Sequence, residues 1–463
     1  MRLVMKFGGT SVGNTDAILK VVDIIKKSHD EGNEIAVVVS AMTKVTDQII
    51  AEAERIGKAN EKVSPSELIE TLRERHLSTL KAVAPDFVDE VTEHINVRLE
   101  RLENMLTAVN NLRELTPRSR DYIISFGEKL SAPIVSAALR QIGINSFQVS
   151  GCDAGILTDG VHGSATALPA SYPRIAERIG SKLKDYVPVI QGFAGCSLEG
   201  AVTTLGRSGS DYSGAIIGAG IDADEIIIWT DVDGVMTTDP RMIPEARVID
   251  SISFIEMMEM SYFGAKVIHS RALLPAMEKN IPVYVRNTFN PSHPGTVVNR
   301  DTHADKRIVK SVSLIKTSSL VIISGFAAGR PGIAGEIFTA LAQAGVNVML
   351  ISQGSSELNI SLVIIDDQIP AASKALEGIK QKGLIRYYAF DTDVNIVSVV
   401  GAGMMGTPGT LGRIFKSLGS AGINVLMISQ GSEVNVSFVV SEANGPRAVR
   451  AIHDEYQLDK EDD

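Results

Sequence analysis

The residue types best suited to chemistry appear almost at the start of the chain. Lys6-Phe7-Gly8-Gly9-Thr10-Ser11 follows the apolar run Leu3-Val4-Met5, which predicts a buried strand. Gly8 and Gly9 let the backbone turn tightly and present bare N–H groups. A helix is predicted from about Thr15, with Asn14 or Thr15 as its cap. Strand, glycine turn and helix N-terminus together suit an anion, and Lys6 adds a full positive charge. The Walker spacing is absent, and a lone Gly-Gly beside a lysine is more often an ordinary turn, so this motif needs support elsewhere.

Four further clusters supply candidates. Ser40-Ala-Met-Thr-Lys-Val-Thr46 follows a predicted strand, where open α/β sheets bind ligands, although Thr43 and Thr46 are equally suited to capping a helix. In Ser125-Phe-Gly-Glu-Lys-Leu-Ser131, Glu128 lies in an apolar helical stretch and must meet either a ligand cation or a structural ion pair. Thr203-Thr-Leu-Gly-Arg-Ser-Gly-Ser-Asp211 combines glycines, hydroxyls and one fixed cation. Arg207 has the fork for a carboxylate or phosphate. Asp211 orients a lysine or a substrate ammonium, or merely caps a helix. Finally, Trp229-Thr-Asp-Val-Asp-Gly-Val-Met-Thr-Thr-Asp-Pro-Arg241 runs from a strand end into a loop that suits a nucleotide's base and ribose, and Phe263-Gly-Ala-Lys-Val-Ile-His269 follows it. Asp231, Asp233 and Asp239 are magnesium candidates, but acids in a turn are more often turn formers.

These residues need a frame. Strand signals at Glu34 to Val39, Asn145 to Val149, Val187 to Gln191, Glu225 to Trp229 and Pro282 to Arg286 alternate with helices, notably Ser119 to Gln141 and Ser210 to Gly220. That order predicts an α/β layer with a largely parallel sheet. Residues 64 to 112 are charged, strand-poor and helical in spacing, so they form either a helical insertion or lid, or a solvated hairpin. With 463 residues the chain has room for two to four domains. A formal net charge of −10 argues against nucleic acid as the main partner. Cys152 and Cys196 are the only cysteines, too few for a metal cluster or a disulfide framework, and they suit a reducing cytoplasm. Met1 leads directly into the first strand, so no signal peptide is expected, and no apolar run approaches the ~18 residues that span a bilayer.

A turn-rich break at Asn290 to Gly295 and a polar stretch from Arg300 to Lys310 mark the main boundary. An internal repeat follows. Gly345-Val-Asn-Val-Met-Leu-Ile-Ser-Gln-Gly-Ser355 is answered by Gly422-Ile-Asn-Val-Leu-Met-Ile-Ser-Gln-Gly-Ser432. Each copy predicts strand, helix, strand, strand, helix, with strands in the first copy at Leu320 to Ser324, Val346 to Ser352 and Leu358 to Ile365, and another near Leu384 to Phe390. The second copy lacks that closing strand. The unassigned run Ile308 to Ile315 is expected to complete it, making the first copy an insertion within the second. Domain limits follow at 1–300, a linker and strand at 301–318, and repeats at 319–390 and 391–463. Gly401-Ala-Gly-Met-Met-Gly406 fits the dinucleotide fingerprint. The sister repeat lacks it, no acid ends the next strand, and two successive strands break the βαβ order, so it is read as a repeat-specific turn.

In this order the motifs resemble aspartate kinases of the amino acid kinase family, over nearly the whole chain. The repeats resemble the paired ACT domains (βαββαβ) that follow the kinase domain there. The resemblance implies transfer of the ATP γ-phosphoryl group to the β-carboxylate of L-aspartate, at the head of the lysine, threonine and methionine branch. It also implies Mg2+ carried with ATP rather than held by protein side chains. By similarity, Lys6, Phe7, Gly8 and Gly9 cradle phosphates, with Thr230, Asp231, Met236, Arg241, Lys266 and Val267 completing the ATP site. Ser40, Thr46, Glu128, Arg207, Ser208, Gly209 and Ser210 hold aspartate, Arg207 on its α-carboxylate and Glu128 on its ammonium. Lys6, Asp211 and Lys266 are the catalytic candidates. Met236 stands where tyrosine is common, and Ser208 where glycine is usual. In the repeats, Asn347, Gln353, Asn359, Asn424, Gln430 and Asn435 are candidates for an amino acid effector, lysine or threonine, or else cap strand ends. Association into dimers or tetramers through the repeats, a cytoplasmic location and no membrane partner are expected. The competing expectations are another amino acid kinase, acting on glutamate, acetylglutamate or a nucleotide, and a silent amino acid sensor. A fused dehydrogenase is not expected, because the residues after the boundary hold only the repeats.

Overall fold

The computed structural model describes residues 1–59, 61, 63–262, 268–301, 307–325, 332–354, 359–404 and 406–460. The chain divides into two compact units, Met1–Val235 with Asp250–Phe254 and Val267–Asp301, and Met236–Ile249 with Ile255–Lys266 and Thr302–Asp463.

In the first unit the strands are β1 (Arg2–Phe7), β2 (Glu34–Val39), β3 (Ser146–Val149), β4 (Leu157–Thr158), β5 (Val187–Gln191), β6 (Ala194–Ser197), β7 (Val202–Thr204), β8 (Glu225–Thr230), β9 (Ser251–Ser253), β10 (Val283–Asn287) and β11 (Thr296–Asn299). The helices are α1 (Thr15–Asp30), α2 (Val45–Lys58), α3 (Ser66–Val83), α4 (Val88–Leu112), α5 (Pro117–Ile124), α6 (Phe126–Gln141), α7 (Gly151–Ala154), α8 (Ser171–Arg178), α9 (Gly209–Gly220) and α11 (Ser270–Lys279); α10 (Phe254–Tyr262) has only Phe254 in this unit and the rest in the second.

The main sheet runs β3-β5-β2-β1-β8-β10-β11-β9. It is parallel from β3 to β10, and only the β10–β11 pairing is antiparallel. Every residue of β1 from Leu3 to Phe7 is buried. A strand covered on both faces has no polar side to show, hence the apolar run Leu3-Val4-Met5, which only Lys6 interrupts before Phe7. The C-terminal ends of β1, β2 and β8 lie side by side, with Phe7 opposite both Val39 and Trp229. Helices α3 and α4, within the strand-poor stretch, are not a solvated hairpin. Ile69, Leu72, Leu80, Ile95, Leu99 and Leu102 join the same core as β1 and β2.

Two expectations are corrected here. The helix from Ser119 to Gln141 is two helices, broken at Ser125, and the break brings Glu128 into the first turn of α6. Cys152 and Cys196 form a disulfide between α7 and β6, with Cα atoms 5.2 Å apart. Two cysteines 44 residues apart gave no sequence signal, because their proximity follows from the pairing of β4 with β6. A small sheet, β4-β6-β7, was also unforeseen, since its strands are too short to show a period.

The second unit is built on β12 (Ser311–Ser324), β13 (Leu350–Gln353), β14 (Asn359–Ile365), β15 (Tyr387–Val400), β16 (Met427–Ser432) and β17 (Asn435–Ser441), with α12 (Ile333–Gln343), α13 (Ile369–Gln381), α14 (Thr410–Ser420) and α15 (Gly445–Glu455). The sheet order is β13-β14-β12-β15-β17-β16. The two repeats share two long strands. In β12, Ser311 to Ile315 pairs with Ile396 to Val400 of the second copy, and Ser318 to Ser324 pairs with Asn359 to Ile365 of the first. The first copy's second strand begins at Leu350 rather than Val346, and Leu358 lies outside the described residues. Gly401 and Gly403 sit against the backbone of Ile308 and Val309, where any side chain would collide. This close approach of two chain segments accounts for glycines that mimic a dinucleotide fingerprint.

Candidate active site

The site gathers where β1, β2 and α9 end or begin. Lys6 is buried on a central strand, a position that a cation tolerates only with a partner. Asp211, in the first turn of α9, is that partner, with Nζ to Oδ1 at 2.5 Å. Of the alternatives open for Asp211, the lysine is therefore the one observed. Gly214 leaves room for the Lys6 stem to lie along α9. The turn after β1 is partly committed, since the Gly8 N–H donates to the Trp229 carbonyl at 3.0 Å and so is not bare. Phe7 stacks on Trp229 with centroids 6.1 Å apart. Asn14 caps α1 by accepting from the Ala17 N–H.

Ser40, directly after β2, donates to the Ser210 hydroxyl at 2.7 Å, joining the second loop to the start of α9. Its carbonyl accepts from Ser131 Oγ on α6. Glu128 is fully buried. Its Oε1 accepts from the Ala41 N–H at 3.1 Å, while Oε2 has no partner. Burial pushes its carboxyl up to about 8, against the opposing pull of the Ala41 N–H and of the nearby Lys6 and Lys129 charges. Sequence left Glu128 between an ion pair and a ligand cation. Among the described residues it has no ion pair, and one oxygen stays unmatched. Gly127 has no room for a Cβ, which would press on Ala41 and on the Thr46 hydroxyl. Thr46 itself lies in the first turn of α2, one residue after its start at Val45.

Arg207 projects into solvent just before α9, and Ser208 adopts a left-handed backbone at φ 52°. Glycine is the residue that takes this conformation without cost, which gives the Ser208 departure its physical meaning. The loop rests on Asp121, which sequence analysis missed. This buried carboxylate accepts from Thr204 N–H and Oγ1, from the Gly163 N–H and from His162 Nδ1. Its signal was available. Asp121 is an acid in the same apolar helical stretch as Glu128, two turns earlier.

Thr230 ends β8 and donates to Asp231 at 3.2 Å. Asp233 accepts from Asn287 and Asn290. Met236 and Arg241 belong to the second unit, where Met236 bridges Val248 and Arg241 forks onto Asp239. Lys266 and Val267 lie outside the described residues. Among the described residues, no group of three or more His, Cys, Asp or Glu side chains converges to hold a metal. In the repeats, Asn435 is buried and committed to Ser398, Ser437 and Glu259, and Asn347 donates to Tyr262. Gln353, Asn359, Asn424 and Gln430 are exposed.

A parallel α/β sheet with a buried, carboxylate-paired lysine and a glycine turn at its carboxyl edge defines a class of enzyme that handles small anions. The amino acid kinase family model matches residues 1–287, and an ACT domain model matches 321–378 and 397–456. Aspartokinase 1, chloroplastic, of Arabidopsis thaliana is 35% identical over 97% of this chain and 79% of its own. E. coli aspartokinase III solved with aspartate and ADP in the R-state matches at TM-score 0.83 and 28% identity, covering 98% of this chain and 99% of that one. The same enzyme with lysine and aspartate, in the T-state, matches at 0.79 and 27% identity over 98% and 99%. The chain belongs to the amino acid kinase family, among the aspartokinases. Among the described residues, no helix is long and apolar enough to cross a membrane.

Proposed function

We propose that the chain phosphorylates the β-carboxylate of L-aspartate with ATP, giving 4-phospho-L-aspartate. The observation that carries this reading is the unmatched oxygen of buried Glu128. A substrate ammonium satisfies it, and binding converts the neutral acid into the charged half of a buried pair. Arg207 takes the α-carboxylate through its fork. Ser40, Thr46 and Ser210 line the same rim. The pairing of Lys6 with Asp211 also suits the chemistry, since it fixes the ammonium instead of letting it collapse onto the first anion to arrive.

The acceptor carboxylate is ionised at neutral pH and needs no general base. The obstacle is bringing two anions together, and Lys6 offsets that charge at the edge of β1. ATP supplies the phosphoryl group, and Mg2+ enters with it. A side chain on Gly9 would press on the Ala41 carbonyl, and one on Gly8 would start beside the Lys6 ammonium, so the two glycines leave the approach to Lys6 open. The repeats bind a regulatory amino acid, lysine or threonine, and join chains into dimers or tetramers. The E. coli T-state structure, a complex with lysine and aspartate, supports the first of these.

The test is ADP release measured with aspartate, glutamate or no acceptor, repeated with lysine and with threonine. Aspartate-dependent release is expected. Release with glutamate alone, or with neither, would overturn the assignment.

A further inference from the structure

Arg75 stands in the middle of α3, an element to which no chemistry attaches from sequence. Its guanidinium leaves the helix and ends between two loops. One N–H₂ group donates to the Thr43 carbonyl at 2.9 Å and the other to the Gly13 carbonyl at 3.0 Å. Gly13 lies in the loop after β1, and Thr43 in the loop after β2. Those strands are parallel neighbours, and their loops carry Gly8 and Gly9 on one side and Ser40 to Lys44 on the other. Thr43 closes the same network by donating Oγ1 to the Gly9 carbonyl at 2.8 Å. Gly13 has no space for a methyl group, which would strike that hydroxyl.

The arrangement has an unusual economy of charge. Among the described residues, no carboxylate lies within ion-pair distance of Arg75, and its cation is spent on two neutral carbonyls. Partial burial lowers its pKa, as expected for a cation taken from water without an acid in return. A lysine would satisfy one carbonyl as a point donor. Only the planar fork reaches two acceptors on separate loops at once. The Thr43 carbonyl it pins belongs to the residue whose hydroxyl holds Gly9, so the clamp reaches the glycine turn that follows Lys6.

We propose that Arg75 is a positioning residue for the phosphoryl-transfer site. It holds the β1 and β2 loops in register and makes α3 a working part of the site. The proposal deepens the reading of an ATP-dependent aspartate kinase. It acts through the loops, so its signature is in nucleotide affinity before turnover.

The experiment compares the intact chain with Arg75→Met, Arg75→Lys, Arg75→Ala (with and without added guanidinium) and Thr43→Val. It reads KM for ATP, KM for aspartate and kcat, together with ADP binding by calorimetry and the thermal midpoint. Arg75→Met is expected to raise KM for ATP and Kd for ADP by about tenfold or more, and to leave the folded fraction unchanged. Arg75→Lys recovers part of that loss, Thr43→Val shifts the same two constants in the same direction, and Arg75→Ala regains activity with added guanidinium ion. Unchanged nucleotide constants in Arg75→Met would overturn the proposal. So would losses that track unfolding in every variant with no guanidinium rescue. If Arg75→Met fails to fold, Thr43→Val and Arg75→Lys decide the matter alone. ADP binding is measured without an acceptor, so a wild-type chain that binds ADP but ignores aspartate would refute the proposed reaction and leave this test standing.

Discussion

Glu128 carries the most informative chemistry of any single residue. A carboxyl raised to about 8 by burial is protonated in the free site at neutral pH, and it must lose that proton to pair with an ammonium. The sign follows directly. Below about pH 8 part of the binding energy goes to deprotonation, so KM for aspartate falls by about tenfold per unit from pH 6 toward 8 and then levels. The same raised value means that the ligand-free native state holds one more proton than the unfolded chain, so Glu128 erodes stability as pH rises between 4.5 and 8. Bound aspartate therefore protects most at the upper end of that window. A KM profile flat across this range, or one unchanged in Glu128→Gln, would remove Glu128 from the ammonium site. Lys6 makes a second prediction at this scale. Its charge matters most when charge spreads over the transferring phosphoryl oxygens, so Lys6→Ala is expected to lower kcat by about a hundredfold or more with aspartate affinity similar. Near-normal turnover in that variant would exclude the role.

At the scale of elements, the sequence disclosed what is periodic or clustered and hid what depends on pairing between distant segments. The β1 strand, the cap of α1 and the repeat were legible because their signals are local. The disulfide, the β4-β6-β7 sheet and the Arg75 clamp were not, since each joins segments far apart in the chain. The tie made by α10 is of the same kind. In the second unit its Glu256 is fully buried, accepts from Lys310 at 3.1 Å and from the Ala402 N–H at 2.6 Å, and so ties α10 to the repeat sheet. Removing one member of a buried pair strands the other, at a cost of ~3–5 kcal/mol. Lys310→Met is therefore expected to lower the stability of the second unit by that amount in denaturant melts. A loss under about 1 kcal/mol would mean that the pair is solvated or replaced.

At the scale of the whole molecule, the question is how the repeats speak to the kinase chemistry. The chain offers a covalent route. Strand β9, in the main sheet, runs straight into α10, whose Glu256, Glu259 and Tyr262 are bonded to Ala402, Asn435 and Asn347 of the repeats. An effector that alters the repeats therefore acts on a helix continuous with a strand of the catalytic sheet. Such coupling is thermodynamically reciprocal. If saturating lysine or threonine weakens aspartate binding by some factor, within the usual range of about 5–150-fold, saturating aspartate must weaken that effector by the same factor. Calorimetric titration of each ligand with and without the other measures both numbers. Asn435→Ala, which releases Glu259, is expected to shrink the two factors together and to leave effector-free turnover near wild type. An effector that binds with no change in aspartate affinity would confine the repeats to assembly, because a ligand with equal affinity for two states shifts neither.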